Sequence, residues 1–437
     1  MYTLLRVLLF AFCAVAALLA VLGCLFPQNG ATEQGRVRCD SVARQIRAIE
    51  VAGAPVKVFD HAQDRQEAGN FPDAQVTAWR ESDGTVNLMI PNTEAYRMRG
   101  PDLEHLSVDP HEIYSSAASA RQVQEERHNY AHWLMGPYSL DGRYFYSLSH
   151  SEWYACLLAR DCERIASNKE PAELNSWANT INSFRSPDGG ASWHLNTVHG
   201  NYVVADTAYR WNGSTALARQ VYLHSTNHTG LLQPTRIVRE GAFFYSIAYY
   251  LQRDFKQIDT VNSRYEAPVT RSGYVLMRTA DIADPNGWQA WAGARKFVPI
   301  AGGMLQTFQP KRRGVALDCA PAQIIYDVNA HCYILIFTLF GGSNPVYFMT
   351  TRSLAAPTWS EMAPIAGTER LVTDPVTATR GFNDTNYPSI LDPGSAGFNF
   401  EYTRGTPLLF FNTSASRPGT DNSARDIYRV QLSVKYN

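Results

Sequence analysis

The chain contains no C-x-x-C pair and no H-E-x-x-H, spacings that set two metal ligands side by side, so it offers no strong zinc site. It also lacks G-x-G-x-x-G and G-x-x-x-x-G-K-[ST], the glycine-rich loops that cradle nucleotide phosphates, and no nucleotide cofactor is expected. Charge of one sign is missing too. The 39 Lys and Arg offset 40 Asp and Glu to leave a formal net charge of -1, and like charges form no long run. Nucleic-acid binding needs a basic footprint, so nucleic acid is excluded as an expected partner.

Cysteine is sparse. Of 7 residues, Cys13 and Cys24 fall in an apolar segment, and Cys156 with Cys162 and Cys319 with Cys332 are close enough in sequence for two short-loop disulfides, leaving Cys39 over. Buried free thiols are the alternative. The apolar segment, Val7 to Phe26, follows Arg6 and carries no charge. It reads as a cleavable signal peptide or a membrane anchor, and Val21-Leu22-Gly23-Cys24 also resembles a lipoprotein signal box. The protein is therefore expected to be exported, either membrane-anchored through this segment, periplasmic or extracellular. Residues 27–55 follow as a polar stretch with a helical pattern in SVARQIRAIEVAG.

What the chain has in quantity is aromatic residues and turn formers: Tyr 23, Phe 20 and Trp 9 beside Gly 29 and Pro 23. Aromatic runs broken by turns are an all-β signature. From about residue 56 to 437 a unit recurs. It starts as NFPDAQ at Asn70, NYAHWL at Asn129, LQPTRI at Leu232, CAPAQI at Cys319 and NYPSIL at Asn386. Each start leads through a turn into an apolar strand: TVNLMI, RYFYSLSH, AFFYSIAYY, HCYILIFTLF and PLLFFNTS. After three of these hairpins a strand ends in Arg-Ser or Arg-Thr, turns, and returns at Trp193, Trp288 or Trp359. Asp bonds its own backbone and Gly takes positive φ in such turns. A β-sandwich would explain the strands but not five similar starts, so the expected fold is a five-bladed β-propeller preceded by a hydrophobic signal or anchor. Ala155 to Asn182 carries few β signals and reads as a surface excursion.

The turn Ser186 to Trp193, S-x-D-x-G-x-S-W, resembles the Asp box of sialidases and other propellers, a marker of fold outside the active site. Five units, with an Asp at the first start and a Glu further along, resemble the furanosidase group that includes glycoside hydrolase families 43, 32 and 117. The resemblance implies a carbohydrate substrate, held in a funnel lined by the strand starts. Some members hold a structural calcium or similar ion, for which this sequence specifies no ligands.

Glycoside cleavage needs two carboxyl groups, one to protonate the leaving oxygen and one to activate water or attack the anomeric carbon. The resemblance assigns Asp73 as general base or nucleophile and Glu152, in SLSHSEWYA, as general acid. Asp384 in GFNDTNYP faces the same funnel as substrate ligand or modulator. His128, His132 and His150 are candidates to bond sugar hydroxyls, Trp133, Trp153 and Tyr387 to stack on sugar faces, and Arg236 to bind a polar or carboxylate group. Each has an ordinary structural alternative, as turn, cap or core residue. The second start, AHWLMGP, departs from the family pattern because it carries no Asp. A non-catalytic binding protein and a sialidase are the competing functions.

Overall fold

The Thr77–Arg80, Val86–Ile90, Glu94–Gly100 and Ser107–Ser115 strands form a four-stranded antiparallel meander, the first sheet of a computed structural model that is almost entirely β. The structure describes residues 44–64, 72–116, 131–154, 177–205, 229–253, 269–300, 305–317, 319–339, 345–371, 385–413 and 425–437. All belong to one unit, Ala43–Asn437.

An eleven-stranded sheet follows. Its first half runs Ala131–Ser139, Phe145–Tyr154 and Trp177–Ser186, and its second half runs Thr229–Leu232, Phe243–Arg253, Val269–Thr279, Gln289–Trp291 and Phe297–Pro299. Parallel pairing of Thr229 with Ala178 and of Gly230 with Asn179 fuses the halves. Cys319–Asp327, Cys332–Leu339, Tyr347–Thr351 and Ala363–Pro364 make the next meander, with Tyr402–Thr403 parallel to its first strand. The last sheet pairs Asn386–Leu391, Leu408–Asn412 and Ile427–Tyr436, and Ile46–Val51 completes it from the other end of the described chain.

Val86–Ile90 and Ala131–Ser139 are buried at every residue, because both faces of these strands are covered; such strands read as continuous runs rather than alternation. Covering is done by hydrophobic clusters between successive sheet faces. Trp79, Leu134, Phe184 and Trp193 join the four-stranded sheet to the first half of the large one. Leu148, Leu231 and Val275 join its halves, Tyr274, Ile324 and Phe337 lead on to the next meander, and Ile334, Phe411 and Val430 to the last. Leu88, Leu391 and Phe410 then connect the last sheet back to the first. Burying each such side chain contributes about 1.5–3 kcal/mol, so stability resides mainly between sheets.

Several expectations are corrected. Hydrogen bonding joins the second and third expected units into one eleven-stranded sheet, so five separate propeller blades are not what the structure draws. Among the described residues no helix is long and apolar enough to cross a membrane, and the membrane-anchored reading finds no support in the structure. Val7 to Phe26, on which the signal, anchor and export readings rested, lies outside the described residues. SVARQIRAIEVAG is no helix where it is described: Ile46–Val51 is a strand held by the edge of Ile427–Tyr436. Trp177–Asn182, expected in a surface excursion, begins a central strand instead. Cys332 is a buried free thiol opposite Asp327, whereas Cys319 lies opposite Leu339 at the far end of the same hairpin. At ~3.3 Å of rise per residue the two are roughly 25 Å apart, beyond the reach of a disulfide.

Candidate active site

Pro72 and Asp73 lead into the first strand of the four-stranded sheet, and the Asp73 backbone N–H donates to the Pro91 carbonyl at 2.8 Å. The backbone is thereby pinned, and both oxygens of the half-buried carboxylate find partners. Oδ2 accepts from the Trp133 indole Nε1 at 3.2 Å, and Oδ1 accepts from Arg425 Nη1. Arg425 also donates to the Pro72 carbonyl at 3.2 Å, and its guanidinium lies 5.7 Å from the centre of the Tyr387 ring. Burial opposes charge on Arg425, but Asp73 and Tyr387 outweigh it and hold the arginine above its ordinary pKa.

Strand register brings the second carboxylate to the same place. Side chains two apart on a strand share a face, so His150 and Glu152 point the same way, and pairing sets Trp133 opposite His150 and Ala131 opposite Glu152. Trp133 stacks on His150 with ring centres 5.2 Å apart and planes inclined by 26°. His150 Nε2 lies 2.6 Å from Asn179 Oδ1 and 3.5 Å from Glu152 Oε1. Asn179 sits opposite Glu152 on the next strand, and its amide nitrogen donates to the Thr229 carbonyl at 2.9 Å. That bond turns Asn179 Oδ1 towards His150, and an acceptor there requires the proton on Nε2. Burial, against the opposing Asn179 bond, pushes the His150 pKa down to about 4. The imidazole beside Glu152 is neutral at neutral pH.

Tyr387 closes the group. Burial pushes its pKa up to about 12, the negative charges of Asp73 and Glu152 act in the same direction, and Arg425 and a Gln233 hydrogen bond act against them. One phenol therefore feels both carboxylates. A buried and a half-buried carboxyl group beside a neutral imidazole and two aromatic faces have the composition needed to move a proton to and from a sugar oxygen.

The structure thus gathers Asp73, Trp133, His150, Glu152 and Tyr387. Others lie elsewhere. His132 alternates to the opposite face of its strand, packs edge-on against Tyr114 and Phe184, and sits 2.6 Å from Ser151 Oγ through Nδ1. Burial, with His150 adding, pushes its pKa down to about 3. Arg236 is buried where the first strands of the sheets converge; it donates to Gln323 Oε1, the Phe400 carbonyl and Ser389 Oγ. Burial pushes its pKa down to about 9 against the opposing pull of Glu401. Those donors meet acceptors within the protein. Trp153 pairs with Ala178 through its backbone, while its side chain, His128 and Asp384 lie outside the described residues.

Sequence reasoning missed Arg425, Asn179 and Gln233. Asn179 could be found only from register and Arg425 only from tertiary folding, but Gln233 precedes proline in LQP as Tyr387 does in NYP. Among the described residues no three His, Cys, Asp or Glu side chains are grouped to hold a metal ion. The converging strand starts do not fit a calcium ion either, because a divalent cation there would meet the Arg236 guanidinium where oxygen ligands are required.

No protein-family model and no curated protein matches the chain. Solved structures do. The catalytic domain of a GH62 α-L-arabinofuranosidase from Coprinopsis cinerea is 9% identical over 88% of this chain and 96% of that one, with a TM-score of 0.46. Zg3597, a family 117 glycoside hydrolase from Zobellia galactanivorans, is 7% identical over 88% and 90%, with a TM-score of 0.49. An α-L-arabinofuranosidase from Lactobacillus brevis is 11% identical over 83% and 90%, with a TM-score of 0.46.

Proposed function

We propose that the chain is a glycoside hydrolase in which Asp73 is the general base or nucleophile and Glu152 the general acid. One observation carries the proposal: Trp133 bonds Asp73 through its indole nitrogen and stacks on the histidine that neighbours Glu152, so a single side chain links the two carboxyls into one group. His150 is itself neutral, so the imidazole 3.5 Å from Glu152 Oε1 is not a cation that would hold it as carboxylate, which suits a proton donor. Arg425 and the Trp133 indole orient Asp73 towards its task. Turnover of aryl glycosides and polysaccharides by wild type, Asp73→Asn and Glu152→Gln is the test, and undiminished turnover in both variants would remove the roles.

A second reading has its own observation. Both oxygens of Asp73 are engaged within the protein, which favours a carboxylate that holds a sugar over one that attacks it. A non-catalytic glycan-binding protein would retain glycans on an array and release no product.

A further inference from the structure

Eight non-glycine residues among those described have positive φ, and only two of them, Gln233 (φ 42) and Tyr387 (φ 50), directly precede a proline. The proline ring crowds the residue before it and disfavours helical backbone there, so these positions are strained twice over. Strain persists only where the surroundings impose it, and it gathers at ligand sites. Both residues stand at the candidate active site: the Tyr387 ring centre lies 5.7 Å from the Arg425 guanidinium that holds Asp73, and Gln233 directly follows the Thr229–Leu232 strand, whose Gly230 pairs with Asn179 opposite Glu152, close enough for its side chain to act on the Tyr387 phenol.

Gln233 is 8% exposed, yet its side-chain oxygen Oε1 has no hydrogen-bond partner among the described residues. Oε1 belongs to the same planar amide that acts on the Tyr387 phenol, so the unpaired acceptor is available at this site. A buried carbonyl oxygen without a donor is costly, and a ligand that brings an O–H to it removes that cost. Burial pushes the Tyr387 pKa up to about 12, so the phenol keeps its proton and has an O–H to donate. The two side chains thus present one acceptor and one donor next to each other, the complement of a ring hydroxyl.

Resting on the glycosidase reading above, we propose that Gln233 and Tyr387 are the specificity-determining pair that reads one free hydroxyl of the sugar bound beside Asp73 and Glu152, with Gln233 Oε1 accepting its proton. A glycan lacking that hydroxyl, or substituted on it, leaves the amide oxygen buried and unpaired.

The test compares kcat/KM of wild type, Gln233→Leu and Gln233→Gly on 4-nitrophenyl glycosides of neutral pentoses and hexoses, each beside its monodeoxy analogues. Gln233→Gly removes the amide and relieves the positive φ together, which keeps the comparison open where Gln233→Leu does not fold. In wild type, deleting one particular hydroxyl is expected to cost about 10- to 100-fold; in both variants the same deletion costs nothing further. Variants as sensitive to that deletion as wild type overturn the assignment and leave the glycosidase reading standing. Undiminished turnover by Asp73→Asn and Glu152→Gln overturns that reading instead. If wild type cleaves none of these glycosides, calorimetric titration with the corresponding free sugars decides. Binding weakened about 10-fold in the variants supports the pair, whereas unchanged binding or none overturns it.

Discussion

The neutrality of His150 has a measurable consequence for stability. Its folded pKa of about 4 lies below the ordinary 6.5, so the native state binds this proton less readily than the unfolded chain does. A depressed folded pKa contributes stability that is fully present above the unfolded value and is lost as pH falls through the folded one. The window is therefore about pH 6.5 down to about pH 4. The gap of about 2.5 pKa units corresponds to roughly 3 kcal/mol at ~1.4 kcal/mol per unit. His150→Gln keeps a donor for Asn179 but cannot ionise, so the variant escapes this acid penalty. At neutral pH it loses the stack on Trp133, expected to cost about 0.5–1.5 kcal/mol. Urea unfolding at about pH 7 and about pH 4 measures both. The stability advantage of wild type at neutral pH should shrink and then invert on acidification, by roughly 3 kcal/mol in all. His132 contributes its own acid penalty to both proteins and largely cancels in the difference. Parallel stability profiles for wild type and variant would refute the reasoning: the imidazole would then titrate as if in water, and Glu152 would have a cationic neighbour in mild acid.

Other expectations follow from particular contacts. Gly84 and Gly190 both have positive φ, but a Cβ on Gly84 meets nothing whereas one on Gly190 lies 2.6 Å from the Trp79 ring. Thermal unfolding should show Gly84→Ala destabilised by about 1–2 kcal/mol and Gly190→Ala by about 1–3 kcal/mol more. Asp188 accepts from Ser186 Oγ, Ser192 N and Ser192 Oγ, so Asp188→Ala should lower stability by about 1–3 kcal/mol while leaving the proposed glycoside turnover of the folded protein unchanged. Trp133→Phe retains a ring against His150 but deletes the donor to Asp73, and kcat/KM should fall about 10- to 100-fold, the value of a hydrogen bond to a charged group. A turnover unaffected by that change would separate Asp73 orientation from catalysis.

Much of the local structure was determined by sequence alone. Asp83-Gly84 before Val86–Ile90 and Glu240-Gly241 before Phe243–Arg253 are turn chemistry next to apolar runs, and such signals act over a few residues. The same locality puts His150 and Glu152 on one strand face and separates His132 from Trp133. Alternation cannot say which face looks at what. Trp133 meets Asp73 and His132 meets Tyr114 and Phe184 because other sheets close on those faces. Arg236 reads as a surface donor until Gln323 and Ser389, 87 and 153 residues away, bury it. Arg425 reaches Asp73 across 352 residues. The Ile46–Val51 segment became a strand because Ile427–Tyr436 offered an edge. Turn type and face depend on neighbours in sequence, whereas desolvation and the pairing of charges depend on neighbours in space, and only the folded sheets supply those.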